Sequence, residues 1–90
     1  MRLFKKKPQP HEDGLSDEYV LRNLRELCDA YVQDDRKRIE DLEQMATAIG
    51  KDLNRRGGIE EMRRIFYMLG SIPGARTLEM HWGGIGEWMG

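Results

Sequence analysis

The strongest constraint on the fold is a stripe of apolar side chains that runs through residues 16–56. Apolar residues recur there at steps of three and four, which is the spacing of an amphipathic helix. Gly50 is the only glycine in this stretch, and no proline occurs in it. The pattern predicts an all-α fold, as a helical bundle or coiled coil, since no segment of the chain has a convincing strand pattern. The stripe comprises Val20, Leu21, Leu24, Leu27, Cys28, Tyr31, Val32, Ile39, Leu42, Met45, Ala46, Ile49 and Leu53.

The polar run 33–38 leaves two architectures open. Apolar positions before and after it keep one phase at about 100° per residue, so a single long helix can pass through. Such a helix would be about 60 Å long, whereas a compact domain of this size has a radius of gyration of about 12 Å. Either the helix breaks at Asp34 and Asp35, one of which would cap a new helix, or a second copy of the chain covers the stripe. Because Gly, Pro and Asn are missing at this point, we favour the continuous helix.

The second landmark is the pair Gly57 and Gly58. Ser16 is expected to cap the long helix at its start, and Gly57 is expected to be the left-handed residue that closes it. A second helix over 59–69 should then follow as an antiparallel or sharply crossed neighbour, because the connection is so short. Gly50 inside the stripe is expected to mark the close approach of another helix backbone.

Shorter elements complete the predicted fold. A third helix is expected over 75–82, where the following glycines would stop it. The remaining tail is irregular but too apolar to stay in water, so Ile85 and Trp88 are expected to fold back onto the helices. Segment 1–14 has three consecutive lysines and two prolines, which favours a flexible basic tail before a single small domain, 15–90.

Composition narrows the class of protein. The ninety residues are 34% charged but carry a net charge of only −1, which speaks against nucleic acid or an anionic membrane as a partner. No apolar run reaches the roughly 18 residues needed to span a bilayer. The first ten residues also lack the apolar core of a secretory signal, so a cytoplasmic location is expected. The single cysteine, Cys28, lies in the stripe and is expected to be a buried structural residue.

The chain offers few groups for catalysis or metal binding. Glu79 and His81 would lie on different faces of a helix, and no spacing of His, Cys, Asp and Glu matches a zinc or iron site. We therefore expect no metal, no cofactor and no enzymatic activity. The best candidate for a small pocket is formed by His81, Trp82 and Trp88. A histidine at this position more often bonds a backbone carbonyl near the C-terminus of its own helix.

The preferred function is non-enzymatic protein–protein interaction, as a homodimer. Along a continuous long helix, the shorter helices could not reach the N-terminal part of the stripe, so a second copy should cover it. The expected interface residues are Val20, Leu24, Leu27, Tyr31 and Val32.

The alternative function is binding of an anion or nucleic acid phosphate by four arginines around the Gly57–Gly58 turn. The two glutamates that open the next helix would cancel much of their field. The arginines concerned are Arg55, Arg56, Arg63 and Arg64.

Two motifs in the C-terminal half carry a resemblance to known proteins. Residues 53–58 read Leu-Asn-x-x-Gly-Gly, and residues 82–88 read Trp-x-Gly-Ile-Gly-x-Trp. Together with Ile49, Gly50 and Met62, they resemble small bacterial proteins of uncharacterised function. The resemblance covers about half of the chain and implies that the Gly-Gly turn and the tryptophan tail are structural features. It implies no activity, cofactor or partner.

Overall fold

A computed structural model describes residues 15–89 of the chain. Helix α1 spans Asp17–Gln33, α2 spans Arg36–Leu69 and α3 spans Ala75–His81. No strand occurs within residues 15–89, so the predicted all-α fold is confirmed. The flexible tail predicted for 1–14 lies outside the described residues.

Helix α1 begins where the sequence predicts. The side chain of Ser16 accepts a hydrogen bond from the backbone N–H of Tyr19 at 3.2 Å. Asp17 and Glu18 follow in the first turn, where negative charge is favourable because the helix dipole is positive at this end. The start of α1 is therefore encoded locally.

The long helix breaks at Asp34 and Asp35, so the continuous helix that we favoured is wrong. Asp34 adopts the left-handed conformation (φ 54°, ψ 40°), which aspartate tolerates better than most residues. The N–H of Asp35 bonds the carbonyl of Ala30 and that of Asp34 bonds Tyr31, which is a Schellman closure of α1. The Asp35 side chain then accepts from the N–H of Arg38 at 3.3 Å and caps α2.

Helix α2 contains a second break, at Gly58. Its angles (φ 68°, ψ −156°) belong to a region that is essentially restricted to glycine. The sequence predicted that Gly57 would have the left-handed conformation. The residue with positive φ is instead Gly58. We refer to residues 36–57 as the first arm of α2 and to residues 59–69 as its second arm.

The two arms fold back on each other. In a straight helix, Ala46 and Phe66 would be about 30 Å apart. Instead, the ring of Phe66 lies 5.5 Å from that of Trp88, which in turn lies 5.2 Å from that of Trp82. The Trp82 indole donates a hydrogen bond to the carbonyl of Ala46 at 2.9 Å. The predicted reversal at the Gly-Gly pair is thus present.

The second arm runs in the same direction as α1. Arg64 bonds Asp17 at the beginning of α1, and the loop after the second arm reaches Cys28, farther along α1. At Gly74, which has a φ of 90°, a Cβ atom would lie only 2.5 Å from the carbonyl oxygen of Cys28. Glycine is required there by both its backbone conformation and the contact.

The core lies between α1, both arms of α2, α3 and the C-terminal tail. It contains the apolar face of each segment and is closed by the two tryptophans. Its buried members include Val20, Leu24, Leu27, Cys28, Ala46, Ile49, Leu53, Met62, Ile65, Leu69, Leu78, Trp82 and Trp88. Ile85 packs against this cluster, so both tail residues that were expected to fold back do so.

Gly50 is a site of close packing, but its neighbour is not a helix backbone. A Cβ atom at this position would lie 2.8 Å from Nε1 of Trp82 and 2.9 Å from Cδ1 of Ile85. The expected close approach is therefore made by the side chains of Trp82 and Ile85.

The two motifs of the C-terminal half contact each other. Gly86 (φ 56°) of the second motif lies directly against the side chain of Asn54 in the first.

Helices in the described part of the chain are too short or too polar to cross a bilayer.

Candidate interaction surface

The predicted dimer interface lies mostly inside the molecule. Val20, Leu24 and Leu27 have no exposed surface. The break at Asp34 folds the first arm back onto α1, and the reversal at Gly58 brings the second arm to the beginning of α1. The premise that the shorter helices cannot reach this part of the stripe is wrong. Tyr31 is half-buried, and only Val32, with 58% of its surface exposed, is open to solvent. Dimerisation remains a prediction, but these core residues do not offer a surface for it.

Tyr31 joins α1 to the first arm of α2. Its hydroxyl donates a hydrogen bond to Oε2 of Glu43 at 2.8 Å. Burial raises the pKa of Tyr31 well above its usual value, and the hydrogen bond to Glu43 raises it further. The hydroxyl is therefore a fixed donor at neutral pH, with a structural role.

Arg64 is the best-connected of the four arginines around the turn. Its guanidinium bonds the Asp17 carboxylate at 2.8 and 3.0 Å and the Glu61 carboxylate at 2.6 and 3.1 Å. The hydrogen bonds from Arg64 hold the pKa of both carboxyl groups below their usual range. The charge of this arginine is thus already matched.

The other three arginines also have carboxylate partners. Arg55 and Arg56 both pair with Asp52, Arg56 at 3.2 Å in a contact without hydrogen-bond geometry. Arg63 lies 3.9 Å from Glu60. Arg56 and Arg64 also approach the same oxygen, Oε2 of Glu61, at 3.9 and 2.6 Å, so a carboxylate of the chain itself already occupies the point where these two arginines meet.

His81 fastens α3 to the first arm of α2. Its Nε2 lies 2.8 Å from Oγ1 of Thr47 and 3.2 Å from the carbonyl oxygen of Glu43. Its Nδ1 lies 3.7 Å from the Glu43 carboxylate. The carbonyl is that of Glu43 on the first arm, whereas we expected a carbonyl near the C-terminus of the histidine's own helix.

The two tryptophans differ in their surroundings: Trp82 fills space in the core, whereas Trp88 also lines part of a surface cleft that is described below. Trp82 has no exposed surface, and Trp88 packs against it edge to face. The Trp88 indole donates a hydrogen bond to the carbonyl of Glu79 at 2.8 Å. His81 contacts the first arm, Trp82 lies in the core and Trp88 packs against Phe66 of the second arm, so the three side chains do not line one pocket.

Cys28 is a core residue, as predicted. It has no exposed surface, and burial raises the pKa of its thiol to about 11. Because the thiolate is the nucleophile, the group is unreactive at neutral pH. In residues 15–89, no group of three His, Cys, Asp or Glu side chains is placed to hold a metal ion.

The structure also contains an open cleft that we did not predict. It lies between the second arm of α2, α3 and the tail, and we call it the Tyr67 cleft. One half has a volume of about 380 Å³ and the other about 230 Å³. Phe66, Tyr67 and Glu79 line both halves. The first half is completed by Gly70, Ser71, Ile72, Ala75 and Arg76, and the second by Ile59, Arg63, Glu87, Trp88 and Met89.

The cleft exposes large apolar side chains. Tyr67 and Met89 have 77% and 93% of their surface exposed, respectively. The second arm buries Met62, Ile65 and Leu69, so Tyr67 lies outside the buried face. The signal in the sequence was the pair of large apolar residues at 67 and 68, which do not fit the helical phase of that face.

The two ends of the cleft carry opposite free charges. Arg76 lies in the first half and Glu87 in the second. Within residues 15–89, neither side chain has an oppositely charged partner closer than 4 Å. This differs from the arginines at the turn, all of which are paired.

A larger depression, of about 580 Å³, lies over α1 and has a different character. It is lined only by polar charged side chains of both signs, among which Arg38 pairs with Asp29 at 3.6 Å. Alternating charges on a helix surface are typical of a solvated face. The Tyr67 cleft is therefore the better candidate for a binding surface.

The resemblance of the C-terminal half to small bacterial proteins remains a prediction from its two motifs. The structure shows only that these motifs contact each other through Asn54 and Gly86. In comparisons with known proteins, no family model, no curated protein and no solved structure matches this chain.

Proposed function

We propose that this chain is a non-enzymatic protein–protein interaction module that binds its partner through the Tyr67 cleft. The observation that carries the proposal is the exposure of Tyr67 and Met89 beside an aromatic floor formed by Phe66 and Trp88. Aromatic residues and methionine are enriched in the centres of protein interfaces. Covering such a surface with a partner is favourable, because it removes apolar area from water.

The side chains that could act as nucleophiles, acids or bases have structural contacts, which supports a non-enzymatic role. Cys28 is buried and protonated, and the hydroxyl of Tyr31 is held by Glu43. His81 and Thr47 bond each other between α3 and the first arm. These groups are engaged in holding the bundle together.

Binding of an anion at the Gly57–Gly58 turn is less well supported. Each of the four arginines there already lies within 4 Å of a carboxylate. A phosphate would have to compete with those carboxylates. The cytoplasmic location expected from the sequence is kept as part of this proposal.

Photocrosslinking from the cleft tests the proposed function. The photoreactive residue p-benzoylphenylalanine replaces Tyr67 in one variant and Ala48 in a control. Ala48 is exposed on the first arm and does not line the cleft. In cells that make the protein, we expect protein adducts from position 67 at several times the yield from position 48. Equal yields from the two positions would overturn the proposal.

A further inference from the structure

We propose that the partner in the Tyr67 cleft is a second copy of this chain, related by a two-fold axis that places Arg76 of each copy beside Glu87 of the other. This inference rests on the proposed function and names the partner for the same cleft. It moves the dimer interface expected from the sequence to a surface that is exposed.

The distribution of charge along the cleft carries the inference. Arg76 lies at one end and Glu87 at the other, and Phe66 and Tyr67 lie in the part common to both halves. A two-fold axis through that common part turns one copy end for end. Each positive end then meets a negative end, and the two aromatic centres meet each other.

Two other charges of the cleft bear on this arrangement. Arg63 shares the second half with Glu87, and its nearest carboxylate, that of Glu60, lies 3.9 Å away in a loose exposed contact. Among residues 15–89, Glu87 in the second half and Arg76 in the first half have no ion-pair partner within 4 Å, so these two charges are the ones that a second copy would pair. Glu79 lines both halves and therefore lies near the proposed two-fold axis, where the Glu79 side chains of the two copies face each other. This like-charge contact opposes dimerisation, and the pairing at the two ends and the aromatic contact have to outweigh it.

The overall charge also favours a second copy over a strongly charged partner. The chain has a net charge of −1, so two copies repel each other little. A partner with a run of one charge would be attracted at one end of the cleft and repelled at the other. A second copy satisfies both ends because its own cleft carries both signs.

The apolar centre would supply the affinity, and the charges would set the orientation. Tyr67 is the most exposed side chain in the common part, at 77%. In a two-fold dimer, the two Tyr67 rings would lie near the axis and cover each other. Tyrosine suits this position because its ring packs while its hydroxyl can still reach water or a polar group at the rim.

Reversal of the two charges tests the pairing. Arg76→Glu alone places like charges at both ends of the dimer, and Glu87→Arg alone does the same. We expect each single variant to dimerise about tenfold more weakly, or worse, in sedimentation equilibrium. The double variant, Arg76→Glu with Glu87→Arg, should regain the affinity of the original chain. An equimolar mixture of the single variants should form heterodimers.

The controls separate this inference from the proposed function. Lys51→Glu changes an exposed charge on the first arm, outside the cleft, and should leave dimerisation unchanged. The pairing is overturned if the single variants dimerise as the original chain does, or if neither the double variant nor the mixture recovers affinity. A chain that stays monomeric but still crosslinks to a different protein from position 67 would overturn the second copy and leave the proposed function standing.

Discussion

Arg64 of the second arm and Asp17 of α1, separated by 47 residues in the chain, are joined by two hydrogen bonds of 2.8 and 3.0 Å. The same guanidinium bonds Glu61. This contact fixes the second arm against the beginning of α1 and therefore helps to cover the apolar stripe. It also links the stability of the fold to pH.

The protein should lose stability in acid through these two carboxyl groups. The hydrogen bonds from Arg64 lower the pKa of Asp17 and Glu61 below their ordinary values of 3.8 and 4.5. Their contribution is therefore complete above about pH 5 and is lost as the pH falls through the lowered values. Urea unfolding between pH 7 and pH 3 should show this loss, and Arg64→Met should reduce its size. At neutral pH this variant should cost at most about 1 kcal/mol, because the pair is partly exposed.

Arg63→Met is the matched control for that measurement, since Arg63 has only a distant contact with Glu60. It should leave the pH dependence as it is. A dependence that is the same in the original chain and in Arg64→Met would contradict the role of this ion pair.

The two aspartates at the first break should respond in opposite directions to substitution. Asp34→Gly removes the Cβ atom that makes the left-handed backbone conformation costly, so it should raise the free energy of unfolding by up to about 1 kcal/mol. Asp35→Ala removes the N-cap of α2 and should lower it by about 1 kcal/mol. Both values come from urea titrations followed by circular dichroism. Changes of the same sign would argue against the break.

Gly50→Ala should destabilise the protein even though alanine is the better helix former. The added Cβ would lie 2.8 Å from Nε1 of Trp82 and would disturb its hydrogen bond to the carbonyl of Ala46. We expect a cost of about 1–3 kcal/mol, as for overpacking in a core. Thermal unfolding measures the cost, and a red shift of tryptophan fluorescence would locate it at the tail. A higher melting temperature would be the contrary result.

Two substitutions in α1 distinguish a residue of the core from an exposed residue of the interface that the sequence predicted. They are Leu24→Asp and Val32→Asp. Leu24 has no exposed surface, whereas Val32 is 58% exposed. Leu24→Asp buries an unpaired charge and should leave the chain largely unfolded by circular dichroism. Val32→Asp should fold normally. If Leu24→Asp gave a folded monomer, α1 would have to be exposed as a dimer surface.

Much of this fold could be predicted because its signals are local. Ser16, the apolar phase of each helix and the glycine pair act over one or two turns, and the structure has helices where they indicate. The reversal at Gly58 and the buried tail were also predicted. In each case, the residue types concerned have few alternatives.

The break at Asp34 was missed because its signal is ambiguous. Aspartate can end a helix in the left-handed conformation or lie on its surface, and the apolar phase is the same on both sides of the break. The choice is made by tertiary packing: the break lets the first arm fold back onto α1, as the Tyr31–Glu43 hydrogen bond shows, and Leu24 and Leu27 are fully buried in the resulting bundle. The error then moved the expected interface onto core residues.

The Tyr67 cleft could not be predicted, because it arises from the way in which three consecutive segments fold onto one another. Tyr67 comes from the second arm, Arg76 from α3 and Met89 from the tail. The positions of these three residues relative to one another depend on the reversal at Gly58 and on the fold of the tail. Only the apolar pair at 67 and 68 pointed to an exposed surface.

The most direct test of the account is the mass in solution of Tyr67→Glu, measured by light scattering over a hundredfold range of concentration. Ala48→Glu is the matched control, since residue 48 is exposed outside the cleft. We predict that the original chain and Ala48→Glu form dimers at high concentration, and that Tyr67→Glu stays a folded monomer throughout. A Tyr67→Glu chain that dimerises as the original does would show that the cleft is not the interaction surface.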